Sequence, residues 1–435
     1  MKKVLIITYY WPPSGGAGVQ RWLKFVKYLR QFQWEPVVYC PSAAEYPEQD
    51  LSLIKDIPEK LELLQHPIWE PYEIYKQFIG RGKDEKISAG FLAEEKRASL
   101  MEKISIWVRG NLFIPDARKF WIKPSVRFLS EYLTTHPVDV IISTGPPHSC
   151  HLIARKLRKK FDIPWIADFR DPWTNIDFYP DLMLTGLADK KHHQLEKAVL
   201  TEADAVIAVS PGLAAEFNVI YPREYHVITN GFDGDDLQSS AEIITDKKFS
   251  LVHIGSLVPA RNPEKLWKVL NKMVCEESEF KDDLEIKLVG KVDYSVRESI
   301  EREGLSSFLN KIDYVPHSEV ATIMQQSQVL LLLINNTPNA KGILTGKFFE
   351  YLGSGRPVLA IGPTDGDLAK ILYETQAGLM SDFGDIQGLE ENVRKLYGQF
   401  RQGKLSVNAS NTGIYNRRSL TERLVGVMGR MKDEG

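Results

Sequence analysis

The 435-residue chain has little of what marks a secreted, membrane-spanning or nucleic-acid-binding protein. Its three cysteines, Cys40, Cys150 and Cys275, are far apart, odd in number and in no metal-ligand spacing. They exclude a disulfide framework and fit a reducing cytoplasm. The formal net charge of −2 gives no case for nucleic acid as a partner. No apolar run approaches the length that crosses a bilayer. The opening Met1-Lys2-Lys3 precedes an apolar run, as in a signal peptide, but that run is only about seven residues and lacks a small-residue cleavage site, so a first β-strand is expected. There is no internal repeat and no low-complexity segment. A nicotinamide-type G-x-G-x-x-G fingerprint is also missing, and no convincing ribose-binding acid follows the second strand.

What is present is ordinary for a soluble globular chain, with 43% apolar and 26% charged residues. The length suits two domains of about 200 residues each. Apolar runs expected to be buried parallel strands recur at Val4 to Thr8, Pro36 to Cys40, Val138 to Ser143, Pro164 to Ala167 and Ala205 to Ser210. They resume at Phe249 to Ile254, Leu284 to Val289, Ile312 to Val315, Val329 to Ile334 and Val358 to Ile361. Helical patterns fall between them, for example from Val19 to Phe32, where Trp22, Leu23, Val26 and Leu29 share a face. Lys83 to Lys103 is charged and helical in pattern. Alternating strands and helices in both halves imply an α/β protein of two Rossmann-like domains with parallel sheets facing across a ligand-holding cleft. The first domain is expected over 1–233, a polar linker over 234–248 and the second domain over 249–412. A helical segment over 413–435 carries Tyr415, Leu420, Leu424 and Val427 at helical spacing.

The chemistry concentrates after the strand ends. Following Val329 to Ile334, a polar loop leads to a helix for which Thr345 is the expected N-cap. Free N–H groups at Gly346 and Lys347, the helix dipole and the Lys347 ammonium would make a diphosphate site. Glu350 lies three residues on, on the same face, where a carboxylate can accept both hydrogen bonds of a ribose diol. The alternative is an ordinary solvated helix. Arg261, just before a helix that starts at Pro263 or Glu264, can offer phosphate its fork of donors, or be a surface arginine. In the first half, Gly15 and Gly16 sit between a strand and a helix, an arrangement suited to an anion or simply to a turn. His148 ends the loop after Ser143, where it could bond a substrate hydroxyl or serve the core. Asp168, Arg170 and Asp171 follow the Pro164 to Ala167 strand. Two acids flanking an arginine either form a local ion-pair cluster or bind ligand. Residues 107–123 interleave Trp107, Phe113, Phe120 and Trp121 with Arg109, Arg118, Lys119 and Lys123. That mixture can dock at an anionic membrane surface or pack its aromatics inward. Asp235 and Asp236 fall in the expected linker, and no D-x-D motif sits in a metal-binding loop.

The run K-F-F-E-Y-L-G-S-G-R-P-V-L-A, residues 347–360, resembles the C-terminal-domain signature of GT-B glycosyltransferases, especially family 4 of the retaining enzymes. Gly15 and Gly16 match that family's Y-P-P-x-x-G-G loop, which lies across the interdomain cleft from the donor diphosphate. The layout from Gly255 to Pro263 resembles its second phosphate loop. T-G-P-P-H-S at 144–149 and D-F-R-D-P-W at 168–173 resemble loops of a subgroup that builds surface polysaccharides. The resemblance implies transfer of a sugar from a nucleotide diphosphate sugar to a glycan or lipid-linked saccharide, with retention, no cofactor and no bound metal, in the cytoplasm or at the inner face of the membrane. It assigns the diphosphate to Gly15, Gly16, Arg261, Thr345, Gly346 and Lys347, and the ribose to Glu350. The base would lie at Val315 and His317, and the reacting centre near His148, Asp168, Arg170 and Asp171. It also implies that the last helix crosses back to the first domain. One departure is plain: many members carry a second glutamate where this chain has Gly342, which leaves the donor sugar open. A sugar-nucleotide epimerase on the same plan and a non-catalytic nucleotide-sugar-binding partner are the rival readings.

Overall fold

In the computed structural model, all residues are described except 43, 45, 47–48, 71–99, 238–242, 314, 316, 408 and 432–435. The expected helical stretch at Lys83 to Lys103 therefore lies mostly outside the described residues; its end falls in a helix, Leu100–Leu112. Contacts divide the chain into two units. The first holds Met1–Thr229 with Leu420–Gly435, and the second Asn230–Ser419.

The first unit is built on a seven-stranded sheet in the order β3-β2-β1-β4-β5-β6-β7. The strands are β1 Lys2–Ile7, β2 Trp34–Ser42, β3 Glu62–Pro67, β4 Val140–Gly145, β5 Trp165–Phe169, β6 Ala205–Ala208 and β7 His226–Val227. Every pairing is parallel. Burial on both faces explains why the inner strands read as continuous apolar runs. In β1, Leu5 and Ile7 enter one core while Val4 and Ile6 enter the other. The second core also takes Trp22, Leu23 and Val26 from the helix Ala17–Leu29, and Leu420, Leu424 and Met428 from the helix Arg417–Arg430.

The second unit has a six-stranded parallel sheet in the order β10-β9-β8-β11-β12-β13. Its strands are β8 Phe249–Ile254, β9 Leu284–Val289, β10 Leu309–Ile312, β11 Val329–Leu333, β12 Val358–Ile361 and β13 Gly378–Ser381. Trp267, Leu270 and Val393 cover one face, and Phe348, Phe349 and Leu372 the other.

Both sheets reverse their order at one point, between β1 and β4 in the first and between β8 and β11 in the second. Beyond the carboxyl ends of strands at such a reversal, the connections leave to opposite faces and open a crevice where ligands bind. The strand expected at Ile312 to Val315 is displaced: β10 ends at Ile312, so Val315 is already in the following loop. The stretch from Asn310 alternates too weakly in polarity to fix its register, as its largely exposed edge position explains.

Candidate functional site

In the second unit the candidate residues gather at the β8/β11 reversal. Thr345 is the N-cap of the helix Gly346–Gly353, its hydroxyl accepting from the Phe348 N–H at 3.3 Å. That cap leaves the first-turn amides of Gly346 and Lys347 facing outward, at the positive end of the helix dipole. The Ile254 N–H donates to the Tyr351 hydroxyl at 3.1 Å, which ties this helix to the end of β8. Gly255 follows with φ +112°, and a Cβ there would lie 2.5 Å from Lys347 Nζ. Glycine therefore lets the turn form and the ammonium approach the backbone.

Arg261 closes the other side. Its Nε donates to Asn335 Oδ1 at 2.6 Å, which bridges the loops after β8 and β11. Burial lowers the Arg261 pKa from its ordinary value. The Lys347 pKa falls to about 8, by burial first and by Arg261 second, while Glu350 opposes the fall. Two partly buried cations that repel each other lie beside a helix N-terminus, an arrangement that can hold a multivalent anion. Glu350 lies one turn along the same helix. His253 sits within β8, 1% exposed, with its Nδ1 and the Leu331 carbonyl 3.0 Å apart. Burial and the nearby Lys347 lower its pKa to about 3, so it stays neutral beneath the two cations. Arg261 also walls a cavity of about 500 Å³ that reaches Ser299, Ile334, Ile361 and Phe383, a size that fits a small ligand. Val315 is half-buried after β10; the side chain of His317, which opens the helix His317–Gln326, lies outside the described residues.

In the first unit, the loops after β1, β4 and β5 meet. Gly16 has φ 83° as the N-cap of Ala17–Leu29, a turn that favours glycine, and its neighbour Gly15 is half-buried. Arg170 Nη1 donates to the Gly18 carbonyl at 2.7 Å and Nη2 to the Pro146 carbonyl, so its guanidinium joins all three loops. It also lies over the Tyr10 ring, 5.5 Å from the centroid.

Asp168 has a different place from the substrate-facing one expected for it. It is fully buried, and its oxygens accept from Arg21 Nη2 at 2.7 Å, Trp22 Nε1 at 2.8 Å and the Thr144 hydroxyl at 2.9 Å. Burial alone would raise this carboxyl, but Arg21, Trp22 and Thr144 together outweigh it, and the net shift is downward. Its acceptors are committed to the protein, which gives Asp168 an architectural role. Asp171 reaches solvent. Desolvation by its loop raises its pKa against the pull of Arg170, a rise that solvent contact limits. His148 is 7% exposed and stacks on Trp173 with centroids 4.3 Å apart. Burial, reinforced by His151, holds its pKa well below the ordinary value, so the imidazole is neutral.

The aromatic-basic stretch divides. Trp107 and Phe120 are 40% and 42% exposed, whereas Trp121 is buried and stacked on Tyr39 at 5.1 Å. Arg118 turns inward to Glu70 at 3.0 Å. Among the described residues, no helix is long and apolar enough to cross a membrane.

Residues 101–231 match the family model of a glycosyl transferase 4-like domain. A comparison with curated proteins finds no match. Among solved structures, the chain is similar to sucrose-phosphate synthase from Thermosynechococcus elongatus, at 12% identity and TM-score 0.63, with 100% of both chains covered. It is also similar to a mutant of S. aureus TarM in complex with Fondaparinux, alpha-GlcNAc-glycerol and UDP, at 12% identity and TM-score 0.58, covering 98% of this chain and 100% of that one. A third is a putative UDP-N-acetylglucosamine 2-epimerase from Listeria monocytogenes, at 12% identity and TM-score 0.57, covering 100% of this chain and 98% of the other.

The chain has the GT-B fold.

Within this GT-B chain, sequence reasoning missed Arg21, Thr144 and His253. A buried Asp168 demanded a cation, but Arg21 lies 147 positions away and nothing in the spacing of the chain pairs them. His253 stands with Ser250 in the otherwise apolar strand β8, and its polarity there was the one visible signal.

Proposed function

We propose that this chain is a nucleotide-sugar-dependent glycosyltransferase that moves a sugar onto a hydroxyl of a glycan or lipid-linked saccharide, with retention, in cell-surface polysaccharide synthesis. The observation that carries the reading is the convergence of Arg261, Lys347 and the Gly346–Gly353 helix N-terminus at the β8/β11 reversal, one turn from Glu350. Bond cleavage to the sugar leaves charge on a diphosphate, and fixed cations and amides aimed at it lower the barrier without reorganising. Glu350 would take the ribose diol, and Val315 and His317 the base through their main chain. Arg170, Asp171 and His148 are the candidate groups around the reacting sugar, with Gly15 and Gly16 giving backbone contacts to the diphosphate. No cofactor or metal is part of the proposal.

The glycosyl transferase 4-like match over 101–231 supports this reading. So does a neighbour, the TarM mutant in complex with UDP and alpha-GlcNAc-glycerol. Exposed Trp107, Leu112 and Phe120, near the basic Lys103 and Lys123, would let the protein rest on the inner face of an anionic membrane. The epimerase reading has support in the Listeria neighbour.

The deciding experiment incubates the protein with a panel of nucleoside diphosphate sugars, with and without an acceptor pool of membrane lipids and glycans. Acceptor-dependent release of nucleoside diphosphate, with a glycosylated product by mass spectrometry, is the expected result. An isomerised sugar formed without acceptor would establish the epimerase instead.

A further inference from the structure

The segment Asp171 to Thr174, which leaves β5, is held from behind by the helix Gly186–Glu202. Glu196 on that helix is 1% exposed. Its Oε1 accepts from the Trp173 N–H at 3.3 Å and the Thr174 N–H at 3.4 Å, and its Oε2 accepts from the Thr174 hydroxyl. One turn back, His192 Nδ1 accepts from the Trp173 indole N–H at 3.1 Å. The Trp173 indole also lies parallel to the His148 ring, their planes 2° apart. Trp173 is thereby clamped between the helix and the loop that follows β4.

A buried carboxylate without a cation is costly, and apolar residues of similar size would fill the space without that cost. Among the described residues no lysine or arginine pairs with Glu196; its donors are those of the Trp173–Thr174 turn. Burial lifts its pKa and the Thr174 and Trp173 donors pull it back. These donors are backbone and hydroxyl groups of the loop that presents Arg170 and Asp171, so the carboxylate acts on that loop's shape.

We propose that Glu196 is a positioning residue: by binding the Trp173 and Thr174 amides it fixes the loop carrying Arg170 and Asp171, and through Trp173 it holds His148 in place. The assignment of that loop to the reacting centre rests on the transferase reading above. Glu196 itself does not touch substrate.

The test combines hydrogen exchange, read by mass spectrometry over residues 168–175, with transfer kinetics. Glu196→Ala should speed exchange of the Trp173 and Thr174 amides by about tenfold or more, the scale of a lost charge-assisted hydrogen bond. It should lower kcat by about tenfold while donor KM stays within about twofold, because Arg261 and Lys347 lie on other loops. Glu196→Gln, which keeps one acceptor oxygen, should fall between. Thr174→Val removes only the hydroxyl donor, leaves the helix untouched, and should loosen the same peptides; it decides the matter if the alanine variant fails to fold. Unchanged exchange at these amides in the folded variants would overturn the proposal, as would a loosened loop with unchanged kcat. A wild-type protein that transfers no sugar from any donor would instead remove the transferase reading, while the exchange result would still decide whether Glu196 holds the loop.

Discussion

Lys347 is the residue whose charge bears most directly on the proposed diphosphate site. Its ammonium is depressed from 10.5 to about 8 by burial and by Arg261. A lysine lowered in the folded state binds its proton less well there than in the unfolded chain. The apoprotein should therefore gain stability as pH rises between about 8 and 10.5, where the unfolded state carries the extra proton. Anion binding follows the opposite sense: above pH 8 the free protein loses the charge that a diphosphate needs. We expect the Kd for a nucleoside diphosphate to rise with pH above about 8, at most about tenfold per pH unit for one linked proton, with Lys347→Arg flattening the profile. Calorimetric titration across that range checks it, and a flat wild-type profile would take Lys347 out of the site. Glu350 is tested separately. Glu350→Ala removes the acceptor proposed for the ribose diol, and its donor affinity should weaken by about 1.5–3 kcal/mol, the range for hydrogen bonds to a charged group. A deoxyribose donor analogue should lose much less in the variant than the ribose donor does; equal losses would place the diol elsewhere.

At the scale of elements, the Arg21–Asp168 pair does what no single helix or strand could. Arg21 comes from the helix Ala17–Leu29 and Asp168 from β5. Arg21 also donates to the Ile228 and Thr229 carbonyls at 2.9 and 2.8 Å, just past β7. The pair thus joins three connections of one sheet. Breaking one side of a fully buried pair leaves the other charge uncompensated, so Arg21→Ala should cost about 3–5 kcal/mol in urea unfolding of the first unit. Asp168 is depressed in the folded state, so its contribution is complete at neutral pH and disappears only as pH falls below the ordinary carboxylate range. A loss under about 1 kcal/mol would mean that solvent reaches the pair. This pair also marks where sequence reading stops. Strands such as β1, β8 and β11 were legible because burial on both faces makes them largely apolar. The Thr345 cap, Gly346, Lys347 and Glu350 were legible because a helix N-terminus is a local pattern. β3, whose side chains alternate between half-buried and exposed, and the short β7 carry no such signal. The partners of Asp168 and the Glu196 clamp arise from long-range packing, which spacing along the chain does not encode.

At the scale of the molecule, the distribution of the proposed site residues over the two units sets the final expectation. Arg261, Lys347 and Glu350 all belong to the unit Asn230–Ser419, while Gly15, His148 and Asp171 belong to the other. A ligand that binds the folded state alone stabilises it by mass action, about 2.7 kcal/mol at a concentration one hundred times Kd. If the diphosphate site is as proposed, a nucleoside diphosphate without its sugar should raise the melting temperature, and exchange protection should appear first at residues 254–262 and 345–351. Arg261→Ala should abolish most of that protection while leaving the melting temperature of the ligand-free protein nearly unchanged, since among the described residues its one side-chain hydrogen-bond partner is Asn335. Protection confined to the first unit would relocate the anion to the Gly15–Gly16 turn. That outcome would leave the GT-B architecture intact but dismiss the Lys347 helix as its phosphate cradle, because helix dipole and ammonium would then face no ligand at all.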